Sequence, residues 1–353
     1  MARRPKPGDG SVSVSIQDVA REAGVAASTV SRALTIPGRI AEKTRVKVIE
    51  AANRLGYTAN AAARNLRVGS SKAVLIVLPG PFNAGASQVI SQMLTVVDSE
   101  LVPLGYSLLI ANIDRRQQAD RYILQLAFSG VTSGAIVFSS GVPEIDGRSL
   151  ADSGIPIVSG LFDLSDKGIP SIVTNDRQAS EETITHLYEL GHRDFLYVGG
   201  PRGNYHEVER HHGVLKALEG RPECSLAYAS GDFHFASGVA AAESYLAGDR
   251  RATAVYCASD DMALAFIRRL ADSGIRTPDD VSVVGFDGST VTAYTVPSLS
   301  SVLQPTGLMG RKVVQTIIDL MEKRGEVPPR TVIPSTLAIR ESIAAPRQRR
   351  LKA

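Results

Sequence analysis

Apolar residues in the first sixty positions recur at helical spacing in three short bursts, each closed by a chain-breaking residue. Ser15 and Asp18 form an S-x-x-D capping box that starts a helix, with Val19, Ala20 and Ala23 inward and Gly24 as the left-handed residue that ends it. A second helix is predicted over Ala27–Leu34, with Val30 and Leu34 inward at i, i+4. That phase leaves Ser28, Thr29, Ser31 and Arg32 outward, and Pro37-Gly38 then breaks the chain. A third helix is predicted over Glu42–Leu55, with Val46, Ile49, Ala52 and Leu55 at helical spacing and Gly56 closing it.

From Ala73 the pattern changes. Near-continuous apolar runs at 74–78, 107–111, 134–138, 156–160, 195–199, 254–258 and 281–286 have the composition of strands. Amphipathic helical stretches at 87–103, 116–128, 178–190, 206–219, 260–273 and 306–323 separate most of them. Buried strands with crossover helices predict parallel sheets covered on both faces. LADSGI occurs at 150–155 and at 270–275, which reads as shared helix-ending grammar rather than duplication. The spacing fits two lobes of roughly 100–130 residues with a cleft between them.

Charge separates the two regions further. Residues 1–72 hold 13 Lys/Arg and 5 Asp/Glu, whereas the remainder holds 26 against 31. A basic head on an acidic body suggests that the head meets a polyanion. The two cysteines, Cys224 and Cys257, lie in or near apolar runs and read as buried free thiols of a reducing compartment. The N-terminus lacks an apolar stretch and no run approaches a membrane span, so a cytoplasmic, nucleoid-associated protein without membrane contact is expected. Tryptophan is absent.

A short helix, a Gly-Val turn and a second short helix with an Arg-bearing polar face are the geometry that places a helix in the DNA major groove. DVAREAGVAASTVSRAL followed by IAEKTRVKVIEAANRLGYTANAAARNL resembles the head of the lac-repressor/galactose-repressor (LacI/GalR) family of bacterial transcription factors. Ala26 and Ala41 stand where that family usually has a capping Ser, and each lost cap costs about 1 kcal/mol. The resemblance implies that Ala27, Ser28 and Thr29 open the recognition helix. It places Arg32 at a base edge or a phosphate. It further implies that Asn60 to Arg67 is a hinge helix that folds on DNA and pairs with its copy. Asn60, Ala63 and Arg64 would contact DNA, and Leu66 would wedge into the minor groove. The alternatives are plain helix surface for Ser28 and Thr29 and an ordinary linker for the hinge.

The body resembles the same family and, with it, the periplasmic sugar-binding proteins. The matching pieces are NDRQASEETITHLYELGHRDFLYVGGP, Arg210 with Gly213, SDDMALA, and VSVVGFDGSTVTAYTVPSLSSVLQPTGLMG. The implied effector contacts are Asn83, Asp176, Arg210, Phe233, Asp260 and Asp287. Arg210 would clamp a hydroxyl pair, carboxylate or phosphate, the acids would accept hydroxyl hydrogen bonds, and Phe233 would stack on the ligand. Helix capping for the acids and a surface ion pair for Arg210 are the alternatives. Asp260 matches the family's interlobe Asp and also opens a helix. Where the family tends to show Asn-Pro and aromatics, this chain reads Phe82-Asn83-Ala84-Gly85-Ala86.

The expected organisation is a basic arm (1–14), an all-α helix-turn-helix DNA-binding domain (15–59), a hinge helix and linker (60–72), an α/β two-lobed periplasmic-binding-protein-like body (73–343) and a basic tail (344–353). Lobe one is expected over 73–190 and 305–330, lobe two over 191–303 and 331–343. His206, His211 and His212 are poorly spaced for one helix face and read as surface or pocket-rim side chains, not metal ligands. Gly199-Gly200-Pro201-Arg202-Gly203 only hints at phosphate binding, since it is not G-x-G-x-x-G. No nucleophile, base and orienter are legible together, so no catalysis and no cofactor are expected. A ligand-responsive regulator, most often a repressor in that family, is expected to bind a near-palindromic operator as a homodimer. A sugar or other polar metabolite would be its effector. A periplasmic solute-binding protein would need a signal peptide, and a sugar or nucleotide enzyme would need a catalytic set.

Overall fold

The computed structural model describes residues 14–35, 40–57, 72–80, 88–113, 118–248 and 252–347. Two compact units divide the chain, Met1–Ser71 and Lys72–Ala353. The expected contacts Asn60, Ala63, Arg64, Leu66 and Asn83 lie outside the described residues.

The head is three helices, α1 (Ile16–Ala23), α2 (Ala27–Thr35) and α3 (Glu42–Leu55). The capping box forms in both directions: Ser15 N–H donates to Asp18 at 3.0 Å and Asp18 N–H to the Ser15 hydroxyl at 3.3 Å. Gly24 takes φ 63°, the left-handed conformation that frees the chain to turn into α2. Val19, Ala20, Ala23, Val30, Ala33, Val48, Ala51 and Ala52 make the core. One expectation is corrected here: Val46 is 44% exposed, and the inward face of α3 is Val48, Ala51 and Ala52. The small Ala51 and Ala52, with Val48, let α3 approach the other two helices closely, and this face leaves Val46 outside. Ala41 caps α3 without a side-chain hydrogen bond.

The body runs β1 (Ala73–Leu78), α4 (Gln88–Leu101), β2 (Ser107–Asn112), α5 (Gln118–Phe128), β3 (Gly134–Val137), a hairpin of β4 (Glu144–Ile145) and β5 (Arg148–Ser149), β6 (Ile157–Gly160) and β7 (Ser171–Thr174). It continues through α6 (Asp176–Glu189), β8 (Asp194–Val198), α7 (Tyr205–Leu218), β9 (Ser225–Ala229), α8 (Phe235–Ala247), β10 (Ala254–Cys257), α9 (Asp260–Ala271), β11 (Ser282–Asp287), β12 (Ser300–Leu303), α10 (Thr306–Glu322), β13 (Arg330–Ile333) and β14 (Thr336–Ala338). Lobe one is a six-stranded sheet in the order β13-β7-β6-β3-β1-β2, and lobe two is β14-β12-β11-β10-β8-β9. All neighbours are parallel except β12–β14.

The lobe boundaries differ from those expected. Helix α6 belongs to lobe two, where Ala179, Ile184 and Leu187 pack with Phe195 and Val214. Strand β13 belongs to lobe one, where Arg330–Ile333 pairs with Ser171–Thr174. The chain crosses where strands end, after Thr174, Leu303 and Ile333, rather than at the helix-ending Gly191. Two crossovers are tied together by the Ser335 N–H donating to the Asn175 side chain at 2.7 Å. The two LADSGI copies fold differently: Leu150–Ser153 is an isolated 3-10 turn, whereas Leu270 and Ala271 finish the long helix α9. No helix among the described residues is long and apolar enough to cross a membrane.

Candidate functional site

On the head, α2 presents its polar residues as the periodicity requires. Ser28 and Arg32 are exposed one turn apart, while Thr29 is half-buried and Ala27 packs against the head core. Arg21, Arg45 and Arg54 are taken up by Asp18, Glu42 and Glu22. Arg32 has no ion pair among the described residues, which leaves its guanidinium available to an outside acceptor.

In the body, the C-terminal ends of the strands meet around a pocket of about 200 Å³. Lobe one contributes Val89, Ile90, Leu161 and Phe162; lobe two contributes His206, Arg210, Phe233 and Asp287, and the crossover between them Gln304. Arg210 is the centre. It is 3% exposed, its Nε donates to Asp176 at 2.9 Å, one Nη donates to the Ala258 carbonyl, and Asp287 lies 3.8 Å away. The guanidinium lies 3.6 Å from the Phe286 ring centre. So fixed, it offers its remaining N–H groups to the pocket in one orientation.

Asp176 stands one layer behind. It is 2% exposed and accepts from Arg210 Nε, from the Thr174 hydroxyl and from His206 Nδ1 at 2.9 Å. Burial opposes its charge, but Arg210 and His206 beside it hold the carboxyl far below the usual carboxylate range. Asp260 is also set back, wholly buried, accepting the Ser289 N–H at 2.7 Å and the Ser301 hydroxyl at 2.6 Å. Ser259, not Asp260, caps α9. Asp176 and Asp260, expected to face the effector, do not line the pocket. Each fixes a residue that does, Arg210 in one case and the 287–289 turn in the other.

That turn carries strain. Asp287 sits at φ 121°, a conformation L side chains avoid, and the Asp260–Ser289 bond holds the chain there. Burial pushes the Asp287 carboxyl up to about 8, with Arg210 opposing and Asp260 adding to the rise. Gln304 donates to Asp287 at 2.8 Å, and its amide oxygen, buried in the pocket wall, has no partner among the described residues. An acceptor left over in this position awaits a hydroxyl or N–H.

Phe233 forms a wall as expected, in a left-handed conformation at φ 70°. Its ring lies flat on Gly200: a Cβ there would fall 2.2 Å from the ring. The Gly200 N–H is taken by buried Glu207 at 2.5 Å, so the Gly199–Gly203 loop does not offer that donor to a phosphate. His206, read from sequence as a rim residue, is buried between Asp176 and the Phe162 ring, at 4.9 Å between ring centres. Gln304, Phe162 and the lobe-one aliphatic wall were not singled out by sequence. Among the described residues no group of three His, Cys, Asp or Glu could hold a metal ion.

A three-helix head with an outward polar helix and a two-lobed α/β body with an interlobe pocket define a ligand-binding regulator of transcription. The profile of the bacterial regulatory proteins of the lacI family matches residues 15–60, and that of a periplasmic binding protein-like domain matches residues 184–343. The HTH-type transcriptional regulator CelR of Thermobifida fusca is 31% identical over 97% of this chain and 100% of its own. Catabolite control protein A of Priestia megaterium is 28% identical over 94% and 99%. The lac repressor dimer bound to operator and the anti-inducer ONPF superposes with a TM-score of 0.81 at 25% identity, over 94% of this chain and 99% of that one. The CelR–cellobiose complex gives 0.68 at 29% identity, over 93% and 99%. The chain belongs to the LacI family of bacterial regulatory proteins.

Proposed function

We propose that this regulator is a repressor that binds a near-palindromic operator as a homodimer and releases or grips it according to an uncharged, polyhydroxylated metabolite in the interlobe pocket. The carrying observation is Arg210, buried, neutralised by Asp176 and aimed into a pocket that also holds the unpartnered Gln304 acceptor. With Arg210 paired by Asp176, and Asp232 and Asp261 lining the pocket, an anionic ligand meets net repulsion, whereas hydroxyls find donors and acceptors on both sides. Phe162 and Phe233 supply apolar faces suited to the C–H face of a sugar ring.

Ser28, Thr29 and Arg32 carry direct readout in this proposal, and Leu66 the minor-groove wedge. Tyr294 and Val296, 81% and 96% exposed, are large apolar groups that a second copy would cover. Binding, not turnover, is the chemistry proposed, and it takes place in the cytoplasm.

The test is a thermal-shift screen of neutral sugars, nucleosides and sugar phosphates, followed by a gel shift on the promoter beside the gene. A saturating neutral ligand at 100-fold its Kd stabilises by about 2.7 kcal/mol and moves the melting midpoint by several degrees. Stabilisation by sugar phosphates alone overturns the uncharged-ligand reading. Absent or salt-insensitive promoter binding overturns the operator reading.

A further inference from the structure

The lobes also meet beside the pocket, through contacts on Tyr205. Tyr205 opens α7 in lobe two, flanked by the pocket residues Asn204 and His206, and its ring packs against the apolar core of lobe one. The ring centre stands 6.4 Å from Phe162 of lobe one and 5.3 Å, edge-on, from His206. Its hydroxyl lies within electrostatic reach of Arg330, the first residue of β13 in lobe one. Arg330 in turn lies 2.6 Å from Asp163. The other Asp163 oxygen is held by the Ser165 N–H and hydroxyl, at 3.1 and 2.6 Å. Arg330 therefore meets an acceptor that is itself fixed, and Tyr205 meets an arginine that is already aimed.

A body joined by short crossovers can rock about them where its lobe arrangements lie close in free energy. A single well-made contact from one lobe to the other then shifts the populations, without touching a ligand.

We propose that Tyr205, with Arg330 and Asp163, is a clasp that holds lobe two against lobe one and sets the resting balance between closed and open bodies. The ring contact with Phe162 and His206 ties the clasp to the pocket wall, so the clasp and the effector act on one equilibrium. Tyr205 is a positioning residue in this scheme. The consequence for operator binding rests on the regulator reading above; the clasp does not.

The experiment measures the lobe separation directly, on the full chain without added sugar. Nitroxide labels are placed at Glu144→Cys in lobe one and Lys216→Cys in lobe two, both exposed positions, in a Cys224→Ser background. Distances are read by double electron–electron resonance. Arg330→Met and Tyr205→Phe are each expected to add a longer-distance population absent from the parent. Tyr205→Ala, which also loses the ring, is expected to make that population dominant. Parent-like distance distributions in folded Arg330→Met and Tyr205→Phe overturn the clasp. Because the Arg330 side chain is 44% exposed, that pair decides the matter even if Tyr205→Ala fails to fold. Should the sugar screen find no ligand while the distances shift, the uncharged-ligand reading fails and the clasp stands.

Discussion

The two lobes share a sheet architecture and differ in what they give the pocket. Lobe two supplies a polar layer that is already assembled: Arg210 on Asp176, Asp287 on its strained turn, Ser289 on Asp260. Lobe one supplies Val89, Ile90, Leu161 and Phe162, an apolar wall. In the proposed reading recognition is built chiefly into one half, and the described lining of the other half is apolar apart from Gln88. Polar groups held before the ligand arrives cost little to reorganise on binding. An apolar wall gains from being covered whichever ligand lies beneath it.

The difference is broken most severely at Arg210. Arg210→Met leaves Asp176 buried without its cation and is expected to lower unfolding free energy by about 3–5 kcal/mol, read by urea denaturation, and to abolish effector binding. A loss below about 1 kcal/mol would show that the layer is not one coupled unit. The pH dependence follows from the acids. Asp287 ionises near 3.8 in the unfolded chain but near 8 in the folded one. The unfolded chain is therefore the more ionised between those values, so this group's contribution makes stability fall as pH rises across that window. Asp176, held low, contributes in the opposite sense, with stability that is present above 3.8 and lost as the medium becomes more acid. Melting curves of Asp287→Asn should gain on the parent progressively from pH 5 to pH 8, by ~1 kcal/mol or more; a constant offset would refute the shifted ionisation.

Gly200→Ala drives a methyl into the Phe233 ring and is expected to cost about 1–3 kcal/mol, measured calorimetrically, as the wall moves. On the lobe-one side, Ile90→Val should cost only about 0.5–1.5 kcal/mol and leave ligand selectivity unchanged. A change in which ligand binds would mean that lobe one also specifies. The head gives the smallest effect: Ala41→Ser restores a cap and should stabilise it by about 1 kcal/mol, seen in amide exchange of α3.

Much of this was legible in the chain, and the exceptions have physical causes. The capping box, Gly24 and the limits of α3 are local chemistry, and they appear where the residues put them. The central strands announce themselves because both faces are buried. Strand β7 (SIVT), β12 (SSVL) and β14 (TLA) are short and hydroxyl-rich, and β9 (SLAYA) lies half exposed at a sheet edge, so none stands out as an apolar run. Helix α8 is mostly small residues with no strong stripe. Lobe membership is not a local property: α6 looks the same to the sequence whichever sheet it covers.

Sequence pointed to Arg210, Phe233 and Asp287, which line the pocket, but could not separate a residue that lines it from one that holds its neighbour. Asp176 and Asp260 are of the second kind. His206 was read only as a surface or rim side chain because its meaning comes from Asp176, thirty positions earlier in the chain, and from Phe162 on the opposite lobe.

Phe233 has one further use. Its ring is pinned on Gly200 at the pocket wall, in a protein with no tryptophan anywhere. A single indole introduced as Phe233→Trp would emit against a dark background from the spot where ligand and lobe movement meet. The molecule would then become its own optical gauge, able to report an arriving metabolite in real time before any promoter is known.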